Sequence, residues 1–218
     1  MRSTRASIQR NCSPKSPPIE RAQARAREPG FVAAANFVSE YGARKAHRQR
    51  MIAHPKSHED SPMNDFRLVG LDPAPLAPLF ALTDEQLAER SIRRVVADRK
   101  PGFPCRISLV DAEIGEELLL LPYCHQPADS PYQASGPIFI RSGARQRIAD
   151  PSEVPPYVFG RLISVRAYDE RDFIVDAEVC EGADVAAKIR RMFENPEVCY
   201  LHLHNAKRGC FSCRVERA

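Results

Sequence analysis

The stretch Tyr200-Leu-His-Leu-His-Asn-Ala-Lys-Arg-Gly-Cys-Phe-Ser-Cys213 gathers two imidazoles, a carboxamide and two thiols within a few turns of chain. Read as a strand, it puts Tyr200, His202 and His204 on one face and Cys199, Leu201 and Leu203 on the other. Two imidazoles at i and i+2 on one face can serve one metal, one phosphate or one proton-transfer pair. Residues 205–209 then read as a turn that returns Cys210 toward the histidines. Three chemistries are open. Cys210 could be a nucleophile with His204 or His202 as its base and Asn205 as an orienting group. His202, His204, Cys210 and Cys213 could form a Cys₂His₂ zinc site, although thiols at i and i+3 on a strand face opposite ways and would need a turn. Cys210 and Cys213 could form a redox pair, which fits poorly so near the end of the chain. The plainer reading is a half-buried sheet in which these groups bond to backbone.

A second set lies upstream. Cys105 and Arg106 place a thiol and a guanidinium at a strand start. His125 and Tyr132 lie in a polar loop, and Ser135-Gly136 offers backbone N–H groups. If these converge with His202 and His204, Arg106 could clamp a carboxylate or phosphate through two parallel bonds. With Lys207 from the turn, the expected substrate-binding residues are Arg106, Cys105, His125, Tyr132, Ser135 and Lys207. Cys210, His204, His202 and Asn205 are the expected catalytic ones. No cofactor and no metal-ligand set is assigned.

The elements that must position these groups are mostly short strands. FRLVGL from Phe66 is a strand, and Thr83-Asp-Glu-Gln86 has the spacing of a capping box at a helix start. Arg93 to Asp98 and the alternating Cys105-Arg-Ile-Ser-Leu-Val-Asp111 read as strands. Residues 113–117 read as a hairpin connection into the buried-type strand Glu117-Leu-Leu-Leu-Leu-Pro-Tyr-Cys124, and Pro137 to Arg141 follows a long polar loop. Residues 161–168 and 173–180 flank Asp169-Glu-Arg-Asp172 as a β-hairpin. Val185, Ile189, Met192 and Phe193 fall at i, i+4, i+7 and i+8, the pattern of an amphipathic helix stopped by Asn195-Pro196. Residues 197–204 and 213–216 close the chain as strands. The expected fold is α+β: one compact domain with a mostly antiparallel sheet and two or three short helices.

Composition narrows the classes. The chain has 218 residues, 43% of them hydrophobic, with seven Cys, 19 Pro and a net charge of +4. No apolar run approaches the length of a membrane span. The odd thiol count and the lack of a signal-peptide pattern point to free thiols in the cytoplasm. The charge divides at Met63. Residues 1–62 hold 12 Lys+Arg against 5 Asp+Glu, a net +7, and the rest holds 20 against 23, a net −3. The basic segment reads as a disordered extension or as translated upstream sequence, with Met63 as the native start. A transit peptide or a nucleic-acid contact is the sharper alternative for it. Walker, G-x-G-x-x-G, H-E-x-x-H and G-x-S-x-G motifs are all missing, which removes most weight from kinases, Rossmann dehydrogenases, zincins and α/β-hydrolases. The domain has no basic stripe with interleaved aromatics, so nucleic acid is not its expected partner.

Taken in order, Leu71-Asp-Pro-Ala-Pro, Arg94-Val-Val-Ala-Asp98, Pro101-Gly-Phe-Pro-Cys-Arg106, His125-Gln-Pro-Ala-Asp-Ser-Pro-Tyr132, Ser135-Gly-Pro-Ile-Phe139 and His202-Leu-His-Asn-Ala-Lys207 with Gly209-Cys210 form a set. They resemble a bacterial family known as domain of unknown function 1203, over residues 65–218. The resemblance implies a single small cytosolic domain and no established activity. The function expected is a small-molecule-binding or enzymatic Cys/His site with an Arg clamp for a small anionic ligand. A non-catalytic interaction or regulatory module with structural His and Cys is the alternative, and a zinc-binding protein a further one.

Overall fold

Ten strands, three α-helices and short 3₁₀ turns follow one another in a computed structural model that describes residues 65–218. The basic segment and the start at Met63 lie outside the described residues. One five-stranded sheet runs in the order β1 (Phe66–Val69), β10 (Phe211–Arg217), β9 (Tyr200–Asn205), β7 (Leu162–Tyr168), β8 (Ile174–Glu181), antiparallel throughout. The other runs β2 (Arg93–Val96), β5 (Glu117–Gln126), β6 (Ala134–Arg141), β3 (Pro104–Cys105), β4 (Val110–Asp111). Only the β3–β6 pairing is parallel there. The fold is the expected α+β class with mostly antiparallel pairing.

Local signals account for most elements. Thr83 caps α1 (Asp84–Ala88) with the reciprocal Thr83–Gln86 bonds of a capping box. The helix α3 (Val185–Phe193) buries Val185, Ile189, Met192 and Phe193, so the 3.6-residue period was the right signal. Its polar face is tied to β8 by Lys188–Glu178 at 2.5 Å and by Arg191 to Asp176 at 2.9 Å and Glu178 at 3.0 Å. A third helix, α2 (Pro156–Phe159), is a single turn.

Under α3 lies one core, with Phe66, Leu68, Ile163, Val165, Leu201, Leu203 and Val215 all fully buried. A second core gathers Ile107, Leu119, Leu121, Ile138 and Ile140 under the other sheet, joined by Phe211 from β10. The sheets are stitched where Val69 bridges Ile148 and Gly70 donates to Arg147 O at 2.7 Å. A Cβ on Gly70 would sit 2.1 Å from Ile107 O, so this crossing accepts only glycine.

Three expectations about strands change; in the first, the long polar loop before Pro137 shrinks to residues 127–133, because pairing extends β5 through Gln126 and starts β6 at Ala134. The alternating segment 105–111 is not one strand: Leu109 takes φ +54° and its N–H returns to Cys105 O, closing a turn between β3 and β4. The turn aims Arg106 inward to bind backbone carbonyls, and that internal bonding outweighs the alternation. Residues 113–117 also do not join paired strands, because β4 lies at the sheet edge beside β3 while β5 pairs with β2 and β6.

Candidate functional site

Cys210 leaves the β9–β10 turn, where Gly209 adopts φ +72°. The turn is closed by Gly209 N–H to Asn205 O at 2.8 Å and Asn205 N–H to Cys210 O at 2.9 Å. Glycine suits that left-handed conformation because it has no Cβ to clash. The sulfur accepts two hydrogen bonds, from Arg106 Nη2 at 3.2 Å and Asn205 Nδ2 at 3.4 Å. Among the described residues no histidine bonds to it, so the expected direct Cys–His pair is not formed.

Arg106 is only 1% exposed. Its Nε donates to Phe211 O at 2.8 Å and its Nη1 to Pro104 O. None of these partners is a carboxylate, and Cys210 is the one ionisable side chain among them. A buried cation ordinarily has an acid beside it. Arg161, by comparison, holds both oxygens of Asp111 at 2.8 and 2.9 Å.

Arg106, Asn205, Lys207 and Cys210 line one cleft of about 830 Å³. Six cations line it against two acids, Asp111 and Glu181. Lys100 and Arg161 are ion-paired with Glu113 and Asp111, and Arg99 with Asp98. Lys207 and Arg208 are exposed and make no ion pair among the described residues. Asn205 Oδ1 is buried without a hydrogen-bond partner.

The histidines gather next to this cleft rather than in it. His202 and His204 share a face of β9, as their spacing implied, and both are buried. His125 comes from the end of β5, where the register slips between Cys124 and Gln126; a bulge there re-aims a side chain. The His125 ring centroid lies 4.9 Å from that of His204 and 6.0 Å from that of His202. Phe211 stacks on His125 at 5.2 Å and meets both other rings edge-on. Its carbonyl is the one Arg106 holds, so Phe211 links cleft and cluster. Burial is the main cause that holds His125 down to about 4, His204 to about 3 and His202 well below its usual range. Arg166 and Arg214, which pair with His202 from the two neighbouring strands, add repulsion. All three rings are therefore neutral near pH 7.

Other expected residues lie apart. Cys105 is fully buried in the second core and accepts from Arg141 N–H at 3.4 Å. Tyr132 is exposed and packs edge-on against Phe173 at 5.6 Å. Ser135 is exposed on β6 opposite Cys124. Cys213 pairs with Leu203 and points into the α3 core, so it cannot join His202 and His204 at one ion or face Cys210 in a redox pair. The residues missed from sequence are Phe211, Tyr157, Arg161 and Arg208. Tyr157 lies within α2 and Arg161 just after it; both line the cleft, and no local motif marks them.

Residues 102–217 match the sequence model of a family described as Protein of unknown function (DUF1203). The match begins after the motifs at 71–75 and 94–98. No curated protein and no solved structure matches the chain. No helix among the described residues is long and apolar enough to cross a membrane.

Proposed function

Because the chain belongs to the family described as Protein of unknown function (DUF1203), whose description assigns no activity, we propose a function from the site itself: binding of a small anionic molecule in the Arg106–Cys210 cleft, with Cys210 as the group that acts on it. The observation that carries this reading is the buried Arg106 guanidinium, which has no carboxylate and whose one ionisable partner is the Cys210 sulfur 3.2 Å away. An uncompensated buried charge costs on the order of several kcal/mol, so its retention calls for a negative group at this point. The cleft volume falls in the range of small-molecule pockets, roughly 300–1,000 Å³. Exposed Lys207 and Arg208 at the mouth would draw an anion in, and the unpartnered Asn205 Oδ1 would accept a bond from a ligand hydroxyl or amide. Cys210 would then add through sulfur to a carbonyl carbon next to the anionic group, its thiol proton passing to solvent and the C=O π pair moving onto the carbonyl oxygen. The histidines support this site through Phe211 rather than acting as the base at the sulfur.

Melting curves test the binding. Inorganic phosphate, sulfate and succinate are added singly at constant ionic strength. At least one should raise the melting temperature saturably, and the Lys207→Gln/Arg208→Gln double variant should weaken that effect. No saturable shift with any of the three, beyond that of potassium chloride, would remove the anion reading.

A further inference from the structure

We infer that His125, His202 and His204 form a three-histidine site for a divalent transition metal, best matched by Zn²⁺. It is separate from the Cys210 cleft and does not rest on it. One ring nitrogen of each lies within 4.8 Å of the others. A tetrahedral zinc with bonds of about 2.0–2.1 Å needs its nitrogens roughly 3.3 Å apart. The rings must therefore close by about 1.5 Å at most. His125, the least buried of the three, sits at a β-bulge where such an adjustment is local.

Unpartnered nitrogens form an independent observation. His125 Nδ1, His202 Nδ1 and His204 Nε2 are each buried without a hydrogen-bond partner. Buried polar atoms are nearly always satisfied, and three orphans on three adjacent rings share one explanation if an ion takes their lone pairs. His204 also carries the second contact expected of a ligand. Its Nδ1 lies 3.0 Å from Gly209 O. A proton on Nδ1 donates to that carbonyl and leaves the Nε2 lone pair free, the arrangement that orients metal-bound imidazoles.

Three neutral imidazoles favour zinc, copper or nickel over magnesium or calcium, and a three-histidine zinc keeps a fourth position open. Arg166 and Arg214 flank His202 on its own face and repel a bare dication. They favour an ion whose fourth ligand is an anion. The sequence pointed to His202 and His204 with two cysteines; the structure replaces both thiols with His125.

The test uses the untagged full chain, and one variant is essential because His47, His54 and His58 also lie in it. Metal analysis after equilibration with Zn²⁺ and removal of loose metal should find about one equivalent per chain. Co²⁺ alone should give the visible bands of a four-coordinate nitrogen site. His125→Gln, at the least buried position, should lose at least tenfold in Co²⁺ affinity while its metal-free melting temperature stays close to that of the parent. His202→Gln should lose the same bands. Well under one equivalent of zinc, or Co²⁺ bands that persist unchanged in both variants, would overturn the assignment.

Discussion

Arg106 decides more at the residue scale than any other side chain. It fastens the β3–β4 turn to the first residue of β10 through Phe211 O and Pro104 O while presenting Nη2 to Cys210. Arg106→Gln removes charged donors from buried acceptors, each bond worth about 1.5–3 kcal/mol. Because the substitution also relieves the cost of the buried charge, urea unfolding should show a net loss smaller than the sum of those bonds. Thiol chemistry gives a second prediction. Burial pushes Cys213 up to about 12, so near neutral pH it holds almost no thiolate, and raising the pH toward about 9 still leaves it far below half ionisation. Maleimide labelling followed by peptide mapping should find Cys199 and Cys210 modified in the folded protein. Cys105 and Cys213 should remain unmodified at both ends of that range until denaturant is added. The residue types of the site were legible in the sequence, because a thiol, a carboxamide and paired histidines on a strand–turn unit announce themselves locally. Their division into a Cys–Arg–Asn group and a histidine group was not, because it depends on which way the 105–109 turn and the β5 bulge aim Arg106 and His125.

Among the elements, the β9–β10 hairpin carries both groups, and its turn sets their spacing. Gly209 has open space around a built Cβ, so Gly209→Ala meets only the cost of its left-handed backbone. That cost is about 1–2 kcal/mol, and it should appear in the unfolding midpoint. Because the same peptide anchors His204 Nδ1, Co²⁺ affinity should fall in this variant too. By contrast Ile189→Ala, buried in α3 on the opposite face of the sheet, should cost about 2–5 kcal/mol of stability. Cys210 reactivity in the folded state should be unaffected. The helix α3, the capping box of α1 and the β7–β8 hairpin could be read from period, capping and turn residues because their signals are local. The β3–β4 turn could not: its alternation matches a strand, and only contacts from β10 and β6 turn Arg106 inward. Likewise the order of β4 away from β5 is a matter of long-range pairing that short connections do not reveal.

At the scale of the whole molecule, the described residues form two sheets stitched at Gly70, and the cleft draws one wall from each. Arg106 comes from the second sheet, and Asn205 and Cys210 from the first. The net charge of +4 divides into +7 before Met63 and −3 after it. A chain starting at Met63 should keep the parent melting temperature and lose any retention on a nucleic-acid column; a large drop in melting temperature would refute its independence. The cleft, in contrast, should keep a local preference for anions within a domain of negative net charge. Alkylation rates at Cys210 measure this most directly, with anionic iodoacetate compared against neutral iodoacetamide. Relative to glutathione, the rate ratio should favour iodoacetate, fall in Lys207→Gln/Arg208→Gln, and decline when inorganic phosphate competes. A ratio at Cys210 equal to that of glutathione and indifferent to phosphate would contradict the anion-directed thiol at the centre of this account.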